Sequence, residues 1–467
     1  MPENFFILFK QELWLVAIIF FLLIIKLKTK QPAVTTLLNR INVLLLLNLI
    51  SGFFFNEEGR LFGKMFVTNH LYVFEKNILN LAALLISLQS TKWLENHKHI
   101  IEFYVLLLSS LLGMFLMISA ANLLMLYVGL ELSTIPLAAA ANFDLHKKIS
   151  GEGAMKLIIS SAFSSTILLL GISFLYGCTG TLDFSVINNL LQQQPLHIAA
   201  FLLFFVGLLF KVSAVPFHLW TADVYEGSPV AITSFLSVAS KAAAMFAILN
   251  VLNKMVQPLF ITWHTVLIWV ALATIIIGNL FAIRQQNLKR LLAFSSVSQV
   301  GFMLLAASAN SAVSNASIIY FILIYVFSNL AVFGVISLVS AALQKETITE
   351  YQSFYTNNKF LSWCLCIGFF SLAGVPPTAG FFGKLFLLMS AAQGITFVIL
   401  TIAALNMVIS MYYYLRVVKT VFAKNENIGM EKIAIPVYNK IALLICVIGI
   451  LLTGVLSGAY SYIISLQ

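Results

Sequence analysis

The sequence has few charged residues for its length. Only 9% of its 467 residues are charged and 61% are hydrophobic, whereas about a quarter of the residues of a soluble protein are charged. Apolar segments of about twenty residues recur along the chain, and they are too long and unbroken to be the strands of a membrane β-barrel. The sequence therefore predicts an all-α polytopic membrane protein.

Residues typical of redox centres and nucleotide sites are also scarce. The four cysteines lie in or at the edge of apolar segments, at Cys178, Cys364, Cys366 and Cys446. A C-x-C pair with two distant partners does not resemble the ligand set of an iron–sulfur cluster. The sequence has neither GxGxxG after a strand nor GxxxxGK[ST], so nothing supports nucleotide binding. We expect no cofactor in this chain and expect any redox chemistry on another chain.

Fourteen apolar segments can be placed along the sequence. They are predicted near residues 7–25, 41–55, 71–91, 103–119, 121–141, 154–177, 198–220, 229–252, 260–282, 290–309, 314–343, 360–390, 394–415 and 437–462. We group them into an N-terminal three-helix segment, two five-helix repeats, and a loop with a C-terminal helix, over residues 1–102, 103–258, 259–420 and 421–467. The linkers between segments are short and polar, so no soluble domain is expected.

Basic residues are distributed unequally between the two sides of this arrangement. Eighteen lie in loops after odd-numbered segments, and five lie on the other side. Because cytoplasmic loops carry an excess of lysine and arginine, the odd loops are predicted to face the cytoplasm and both termini the outer side. The net charge of +10 mostly reflects this sorting, and no nucleic-acid partner is expected.

A few charged residues fall within the apolar segments. They are Glu131, Lys156, Lys211, Lys241 and Lys384. A charge at the bilayer centre costs roughly 2.5–3.5 kcal/mol on insertion scales, and it is tolerated where the group faces a wet cavity or a partner. A lysine in such surroundings can take up and release protons. The set therefore predicts a lateral proton relay.

Other roles stay open for individual members of the set. Lys156 lies near the start of its segment, where its long side chain can reach the cytoplasmic interface. An alternative role for Glu131 is that of a simple counter-ion that holds a lysine in place. His218, in PFHLW, either caps broken backbone or transfers protons. A purely structural role is also open for Lys211 and Lys241, although both lie too deep to reach the interface easily.

Two segments contain sequences that interrupt a helix. The seventh includes KVSAVPFHLW, and the twelfth includes SLAGVPPTAGFFGK. Irregular backbone at membrane depth is tolerated only where it is buried in protein or lines a cavity. Two interrupted helices five segments apart are typical of an inverted repeat. In the first break Lys211 precedes Pro216, whereas in the second Lys384 follows Pro376.

Several short motifs, in this order along the chain, resemble the subunit N family of respiratory complex I, the proton-translocating NADH–quinone oxidoreductase. They are GLEL, FKVSAVPFHLW, DVYEG, FLSVASKAA, NLKRLLAFSS and GVPPTAGFFGK. The resemblance implies an antiporter-like subunit of a translocase, with NADH, FMN, iron–sulfur clusters and quinone bound in partner subunits. It also implies a bacterial inner membrane, contacts with the lipid bilayer, and membrane subunits of the M, J and K types as partners.

The resemblance also implies a role for each buried charge. Glu131 would pair with Lys211 in the first half-channel, and Lys156 would modulate that pair. Lys241 would link the two halves, and Lys384 would be the terminal exit group. Quinone reduction elsewhere in the complex would change the pairing of Glu131 with Lys211 and pass a proton along the row.

The chain departs from the resemblance at one position that affects the relay. Many family members have histidine where this chain has Gln299, in SSVSQVGF. An amide cannot take up a proton. The connection between Lys241 and Lys384 would then depend on water or on Ser295, Ser296 and Ser298.

Two further functions stay open beside this one. A cation/proton antiporter would share the fold and the lysines, and it would carry out sodium-dependent exchange without NADH. A non-conducting structural subunit would use the same buried charges only to hold helices in register.

Overall fold

The computed structural model of the chain is almost entirely helical. It describes residues 4–28, 33–54, 56–424, 431–456 and 458–467. The second predicted segment ends at Phe55, which lies outside these residues, as does part of the predicted loop in 421–467. The all-α prediction is confirmed, because the described residues form helices throughout and only one short hairpin. The inverted repeats stay a prediction.

The first half of the chain contains ten helices among the described residues and the hairpin. The helices are α1 (Phe5–Leu8), α2 (Lys10–Leu27), α3 (Val34–Ser51), α4 (His70–Glu95), α5 (Ile100–Ile118), α6 (Leu123–Ala141), α7 (Lys148–Thr179), α8 (Phe184–Leu190), α9 (Pro195–Lys211) and α10 (Trp220–Gly227). The antiparallel strands β1 (Gly59–Leu61) and β2 (Phe66–Thr68) connect α3 to α4, with Gly59 opposite Thr68.

The second half continues in the same way. Its helices are α11 (Val230–Phe235), α12 (Lys241–Lys254), α13 (Phe260–Arg284), α14 (Leu288–Ala307), α15 (Ala312–Leu343), α16 (Phe354–Asn357), α17 (Lys359–Ala373), α18 (Ala379–Ala391), α19 (Phe397–Phe422), α20 (Val437–Val455) and α21 (Gly458–Ser465). A π-helical turn, Leu236–Ser240, joins α11 to α12 without a gap, and 3-10 turns occur at Gln257–Leu259 and Ile348–Tyr351.

Many of these helices match the length of a membrane span. Among the described residues, eleven are long and apolar enough to cross a bilayer: α3 to α7, the continuous helix Val230–Lys254, Gln257–Arg284, α14, α15, α19 and α20. Three shorter apolar helices, α9, α17 and α18, fall in the two segments that were predicted to be interrupted. Each of the fourteen predicted segments thus contains a helix, while the number that crosses the membrane stays a prediction.

The first interruption begins where α9 ends, at Lys211. Ser213 adopts a positive φ of 62°, and the peptide bond between Val215 and Pro216 is cis. Proline has no N–H to continue the helical hydrogen bonds. The Val215 N–H instead donates to the hydroxyl of Thr274 on α13, at 3.0 Å. The Thr274 hydroxyl therefore accepts the hydrogen bond that a backbone carbonyl would accept in an uninterrupted helix.

The second interruption follows Ala373, the last residue of α17. Gly374 adopts a φ of 83°, in the left-handed region that glycine enters without a Cβ penalty. Its N–H donates to the carbonyl of Phe370 at 3.0 Å, which closes the helix end. The cis bond between Pro376 and Pro377 follows, and α18 starts three residues after Pro376.

The described residues form two compact units. The first contains residues within Met1–Leu84, Glu95–Val212 and Ala239–Trp263, and the second contains residues within Leu85–Leu94, Ser213–Val238 and His264–Gln467. In the first unit, α5 packs against α6 and α7 packs against α9. In the second unit, α15 packs against α17, α18 and α20. The four segments predicted from the sequence stay a prediction.

Glycines allow α5 and α6 to approach closely. A Cβ atom added to Gly113 would lie 2.4 Å from the backbone nitrogen of Ser133, and one added to Gly129 would lie 2.7 Å from that of Met117. The hydroxyl of Ser110 also donates to the Ser133 carbonyl at 2.7 Å. Small residues at such contacts are typical of helix packing in membranes. The contact fixes the rotation of α6 and hence the directions of its side chains.

Candidate functional site

A buried contact between Lys211 and Thr134 is the first part of the candidate site. The Lys211 side chain is 6% exposed, and its Nζ donates to the Thr134 Oγ1 at 2.6 Å. The Thr134 hydroxyl in turn donates to the Leu130 carbonyl at 2.7 Å. The threonine oxygen therefore accepts from the lysine while its hydrogen is used within α6.

Close packing of α9 on α7 sets the position of Lys211. A Cβ atom on Gly171 would lie 2.2 Å from the Phe204 backbone nitrogen, and one on Gly207 would lie 2.6 Å from the Leu168 Cβ. Gly207 precedes Lys211 by one helical turn. The two helices thus touch at positions that leave no space for a larger residue, directly before the lysine.

A small cavity adjoins the Lys211 ammonium. It is lined by Leu130, Thr134, Ser161, Ser164, Ser165, Leu168, Gly207, Phe210 and Lys211. The space is about that of one water molecule. The Ser164 hydroxyl is buried and has no hydrogen-bond partner among the described residues. The cavity therefore combines polar partners with the lysine that the sequence singled out.

Glu131 lies on α6, three residues before Thr134. This spacing places both side chains on one face of the helix, and the Glu131 carboxylate is close enough to act electrostatically on Lys211. Among the described residues, no ion pair joins Glu131 to Lys211. The Glu131 Oε1 is buried and has no hydrogen-bond partner in the described part of the chain. The direct pairing implied by the resemblance stays a prediction.

Lys156 lies on α7 and forms an ion pair with Glu152, one turn earlier, at 2.6 Å. The two side chains are 43% and 63% exposed in this chain. Lys156 is therefore exposed in this chain, unlike Lys211, Lys241 and Lys384, and its modulating role stays a prediction. Its place near the start of α7 agrees with the alternative in which its side chain extends outward.

Lys241 is the first residue of α12, directly after the π-helical turn Leu236–Ser240. Its side chain is 2% exposed. Single π-helical turns within α-helices are frequent at functional sites. The structure thus adds a local backbone irregularity to a position that the sequence had selected by charge alone.

Lys384 occupies a site of its own within the second unit. Its Nζ donates to the carbonyls of Leu372 at 2.6 Å and Ala373 at 3.3 Å, and to the Ser410 hydroxyl at 3.4 Å. The two carbonyls end α17, where the last four carbonyls lack donors within the helix. The lysine, 1% exposed, therefore caps the helix at which the second interruption begins.

Polar side chains continue from Lys384 along α19. Ser410 and Tyr414 are four residues apart and share one face of that helix. The Gln299 Nε2 on α14 donates to the Tyr414 hydroxyl at 3.4 Å. The Gln299 Oε1 is buried and has no hydrogen-bond partner among the described residues. Gln299 thus lies within a polar series that begins at Lys384.

The three serines near Gln299 that the sequence singled out, Ser295, Ser296 and Ser298, differ in their contacts. The Ser295 and Ser296 hydroxyls donate to backbone carbonyls of α14 one turn earlier, at 3.0 and 2.7 Å. The Ser298 hydroxyl is buried and has no hydrogen-bond partner in the described part of the chain. Of the three, only Ser298 has its donor hydrogen unused within the described residues.

His218 lies in the first interruption and is 5% exposed. Its backbone carbonyl accepts from the Thr221 N–H at 3.1 Å, at the start of α10. Its ring lies against Phe281, with 5.9 Å between ring centroids. The backbone of His218 therefore helps to start α10, while a role of its ring in proton transfer stays a prediction.

Comparison with known proteins identifies the group to which these features belong. A family model described as NADH:quinone oxidoreductase/Mrp antiporter, transmembrane region, matches residues 120–410. The chain belongs to this family. It is 47% identical over 415 residues to the NADH-quinone oxidoreductase subunit N of Azobacteroides pseudotrichonymphae, covering 88% of this chain and 86% of that one. Its identity to the subunit N of Phocaeicola vulgatus is 45% over 411 residues, with 86% of each chain covered.

A solved structure supports the same assignment to the NADH:quinone oxidoreductase/Mrp antiporter family. A chain of respiratory complex I from Thermus thermophilus with bound aureothin has a TM-score of 0.84 and 28% sequence identity, covering 96% of this chain and 97% of that one. The resemblance inferred from the short motifs is confirmed. With its many apolar helices, this member of the family is a multi-pass membrane protein.

All the predicted site residues lie within the part of the chain that the family model matches. The structure adds partners that the sequence analysis did not name. Thr134 follows Glu131 by three residues in GLELST, so its place on the same helix face was a usable signal. The carbonyls of Leu372 and Ala373 gave no signal, because every residue has a carbonyl and only the tertiary fold selects two of them.

The sequence also missed three buried charges in the first unit. Lys76 and Glu12 form an ion pair at 2.6 Å, and each side chain is 1% exposed. Glu75, beside Lys76, is 3% exposed. These residues lie near the first turns of α2 and α4, close to the edges of the predicted apolar segments. Other parts of this chain cover these helix ends, so charged side chains near the edges of apolar segments are buried as well.

Proposed function

We propose that this chain is an antiporter-like, proton-translocating membrane subunit of respiratory complex I. It couples electron transfer from NADH to quinone in other subunits to proton transport across the membrane. The observation that carries the proposal is the buried Lys211 ammonium, hydrogen-bonded to Thr134 beside a small polar cavity. The relatives named NADH-quinone oxidoreductase subunit N support the assignment to this complex.

The Lys211 site suits a group that changes its protonation state. Thr134 offers an oxygen acceptor whose own hydrogen is directed to Leu130. A lysine side chain can donate an N–H to that oxygen as an ammonium or as a neutral amine. Deprotonation of Lys211 would therefore leave this hydrogen bond in place. The position of Glu131 on the same face of α6 gives the ammonium form a nearby negative charge.

In this proposal the remaining charges have successive roles. Glu131 and Lys211 form the first half-channel, and Lys156 modulates them from the exposed face of α7. Lys241 connects the two halves, and Lys384 is the terminal exit group. The polar series from Ser410 through Tyr414 to Gln299 supplies hydrogen-bonding groups, together with water, for proton transfer to Lys384.

We further propose the setting in which the chain works. It belongs to a translocase of the bacterial inner membrane, with both termini on the outer side. NADH, FMN, iron–sulfur clusters and quinone bind in partner subunits, and this chain contributes no redox centre. Membrane subunits of the M, J and K types adjoin it, together with the lipid bilayer.

NADH-driven acidification of inverted membrane vesicles tests the proposal. Vesicles that carry Lys211→Ala are compared with wild type, and NADH oxidation is recorded at the same time. The matched control is Lys147→Ala, since Lys147 is 68% exposed and pairs with Asp144 at 3.0 Å outside the site. We expect the protons moved per NADH to fall by roughly one-half or more with Lys211→Ala and to stay at the wild-type value with the control.

Two outcomes would overturn the proposal. Equal proton transport in Lys211→Ala and wild-type vesicles would show that the buried lysine carries no coupled protons, as expected of a structural subunit. Sodium-dependent proton exchange without NADH, lost in Lys211→Ala, would instead identify a cation/proton antiporter.

A further inference from the structure

A second group of ionisable side chains lies within the first unit and has no part in the proposed relay. It consists of Glu12 on α2, Tyr72, Glu75 and Lys76 on α4, and Lys254 on α12. The group is held together at the N-terminal ends of α2 and α4 and the C-terminal end of α12. We call it the terminal cluster.

The first half of the terminal cluster is a buried ion pair. The Lys76 Nζ donates to the Glu12 Oε1 at 2.6 Å, and each side chain is 1% exposed. The same ammonium lies 4.8 Å from the centre of the Phe66 ring, a distance typical of a cation–π contact. The Lys76 ammonium therefore contacts both a carboxylate and an aromatic face.

The second half of the terminal cluster ties α12 to α4. The Lys254 Nζ donates to the Tyr72 hydroxyl and lies 4.6 Å from the centre of its ring. The Tyr72 hydroxyl donates to the Asn250 Oδ1 at 2.7 Å. The Asn250 amide then donates to the Ala120 carbonyl at 2.7 Å. Lys254, an exposed residue, is thus the outermost member of an ordered series.

Glu75 lies between these two halves. It follows Tyr72 by three residues on α4, so it shares the helix face of Tyr72. The charged groups that act on its carboxylate are Lys254 and Lys76. Its side chain is 3% exposed, and its buried Oε2 has no hydrogen-bond partner among the described residues. A buried carboxylate oxygen without a partner is costly, which indicates a proton or a water molecule at this atom.

The terminal cluster has two approaches from the surface. One is a small pocket lined in part by Lys10, Asn56, Glu57, Glu12 and Lys76, with room for about one water molecule. It extends from the exposed Glu57 to the buried ion pair. The other is Lys254 itself, since its side chain is exposed and its charge acts on Glu75.

We propose that Glu75 is a proton-exchange site in equilibrium with the aqueous phase at this end of the first unit. A proton on the Glu75 carboxyl passes to a water molecule at the terminal cluster and from there to bulk water. The carboxylate that remains is stabilised by Lys76 and Lys254, and Arg60 adds a positive charge that acts on Lys254. Uptake follows the same steps in reverse.

This inference rests on the proposed function. In the proposed orientation, the terminal cluster faces the outer side, so Glu75 is a release site for protons. The helix α12 also connects it with the relay, because Lys241 lies thirteen residues before Lys254 on that helix, about 20 Å at 1.5 Å per residue.

The test replaces Glu75 in the intact complex and measures protons moved per NADH in inverted vesicles. Glu75→Gln removes the titratable group and keeps the side-chain shape, and Glu58→Gln is the matched control at an exposed glutamate. We expect Glu75→Gln to lower the ratio by roughly one-half or more and to change its dependence on the pH inside the vesicles. The control keeps the wild-type ratio.

A merely structural role gives a different pattern. It would lower the amount of assembled complex and the NADH oxidation rate together, leaving the ratio and its pH dependence unchanged. That result overturns the proposal. If Glu75→Gln alone fails to assemble, the variant with Glu75→Gln and Lys254→Gln restores the charge balance, and the same loss of ratio is expected from it. A wild-type ratio in this variant also overturns the proposal.

Protons moved per NADH are also measured in Lys211→Ala vesicles, and this measurement distinguishes the two proposals. A lowered ratio in Lys211→Ala with a wild-type ratio in Glu75→Gln overturns the exchange site and leaves the proposed function standing. Wild-type ratios in both variants overturn the proposed function as well.

Discussion

Lys211 and Lys384 both lie beside a helix interruption, but they belong to opposite sides of it. Lys211 is the last residue of α9, before the interruption, and its ammonium binds Thr134 on a different helix. Lys384 lies on α18, after the interruption, and its ammonium returns to the carbonyls of Leu372 and Ala373 that end α17. One lysine contacts a side chain, and the other contacts broken backbone.

The two kinds of contact suit different roles, since one lysine is placed to transfer a proton and the other also supports the end of a helix. Carbonyls at the C-terminus of a helix carry partial negative charge and stabilise a cation. Lys384 therefore supports the fold at the interruption as well as any proton transfer. The contact of Lys211 is with a hydroxyl that already donates within α6, so no helix end depends on it. Lys211, beside the first interruption, can therefore change its protonation state without removing support from a helix end.

We expect the largest difference between the two sites when each lysine is removed. Lys384→Met leaves two helix-end carbonyls without their ammonium donor, which costs about 1–3 kcal/mol for each buried group left unsatisfied. Lys211→Met leaves the Thr134 hydroxyl bonded to Leu130, so we expect a clearly smaller loss of stability. Thermal inactivation of the purified complex measures both, and each variant is also expected to lower protons moved per NADH.

The stability comparison has a clear contrary result. Equal losses of thermal stability in the two methionine variants would show that the carbonyl contacts of Lys384 do not support the end of α17. The exposed lysine variant Lys147→Ala serves again as the control for effects of a lost positive charge.

Thr134 gives a finer test of the first site. Thr134→Val removes the hydroxyl that accepts from Lys211 at 2.6 Å and preserves the shape of the side chain, whereas Thr134→Ser keeps the hydroxyl. A hydrogen bond to a charged group contributes about 1.5–3 kcal/mol, so we expect the valine variant to lower protons moved per NADH and the serine variant to retain most of them. Equal ratios in the two variants would exclude Thr134 as a partner of the proton carrier.

The sequence predicted the helical segments well because long apolar runs depend little on tertiary context. It also located both interruptions, since Pro216 and Pro376 cannot continue a helix. It selected Lys211, Lys241 and Lys384 correctly as buried residues, because a charge within an apolar run is conspicuous.

What the sequence could not supply was the identity of the partners. The sequence left both a relay role and an interfacial position open for Lys156, and α7 turns its side chain outward to Glu152. Glu75 lies near the edge of an apolar segment in the sequence, yet other parts of this chain bury its side chain. In both cases the outcome depends on which face of a helix is covered, and that information is not contained in a local stretch of residues.

The smallest expected effect concerns the backbone of the two interruptions. Gly374 has a φ of 83°, and a Cβ added there would lie 3.2 Å from the Lys384 Cδ, so Gly374→Ala should cost roughly 1–2 kcal/mol. At the first interruption the left-handed residue is Ser213, with a φ of 62°. Ser213→Gly removes the Cβ penalty and adds chain entropy to the unfolded state, two effects of about 1 kcal/mol that oppose each other.

We therefore expect thermal inactivation of the purified complex to occur earlier with Gly374→Ala and to be nearly unchanged with Ser213→Gly. Protons moved per NADH should stay close to wild type in both variants at a temperature where they are folded, since neither side chain lies in the proposed path. A lowered ratio in Gly374→Ala without a stability loss would contradict this view. It would show that the position of Lys384 beside the end of α17 affects transport directly, and the second interruption would then resemble the first in function.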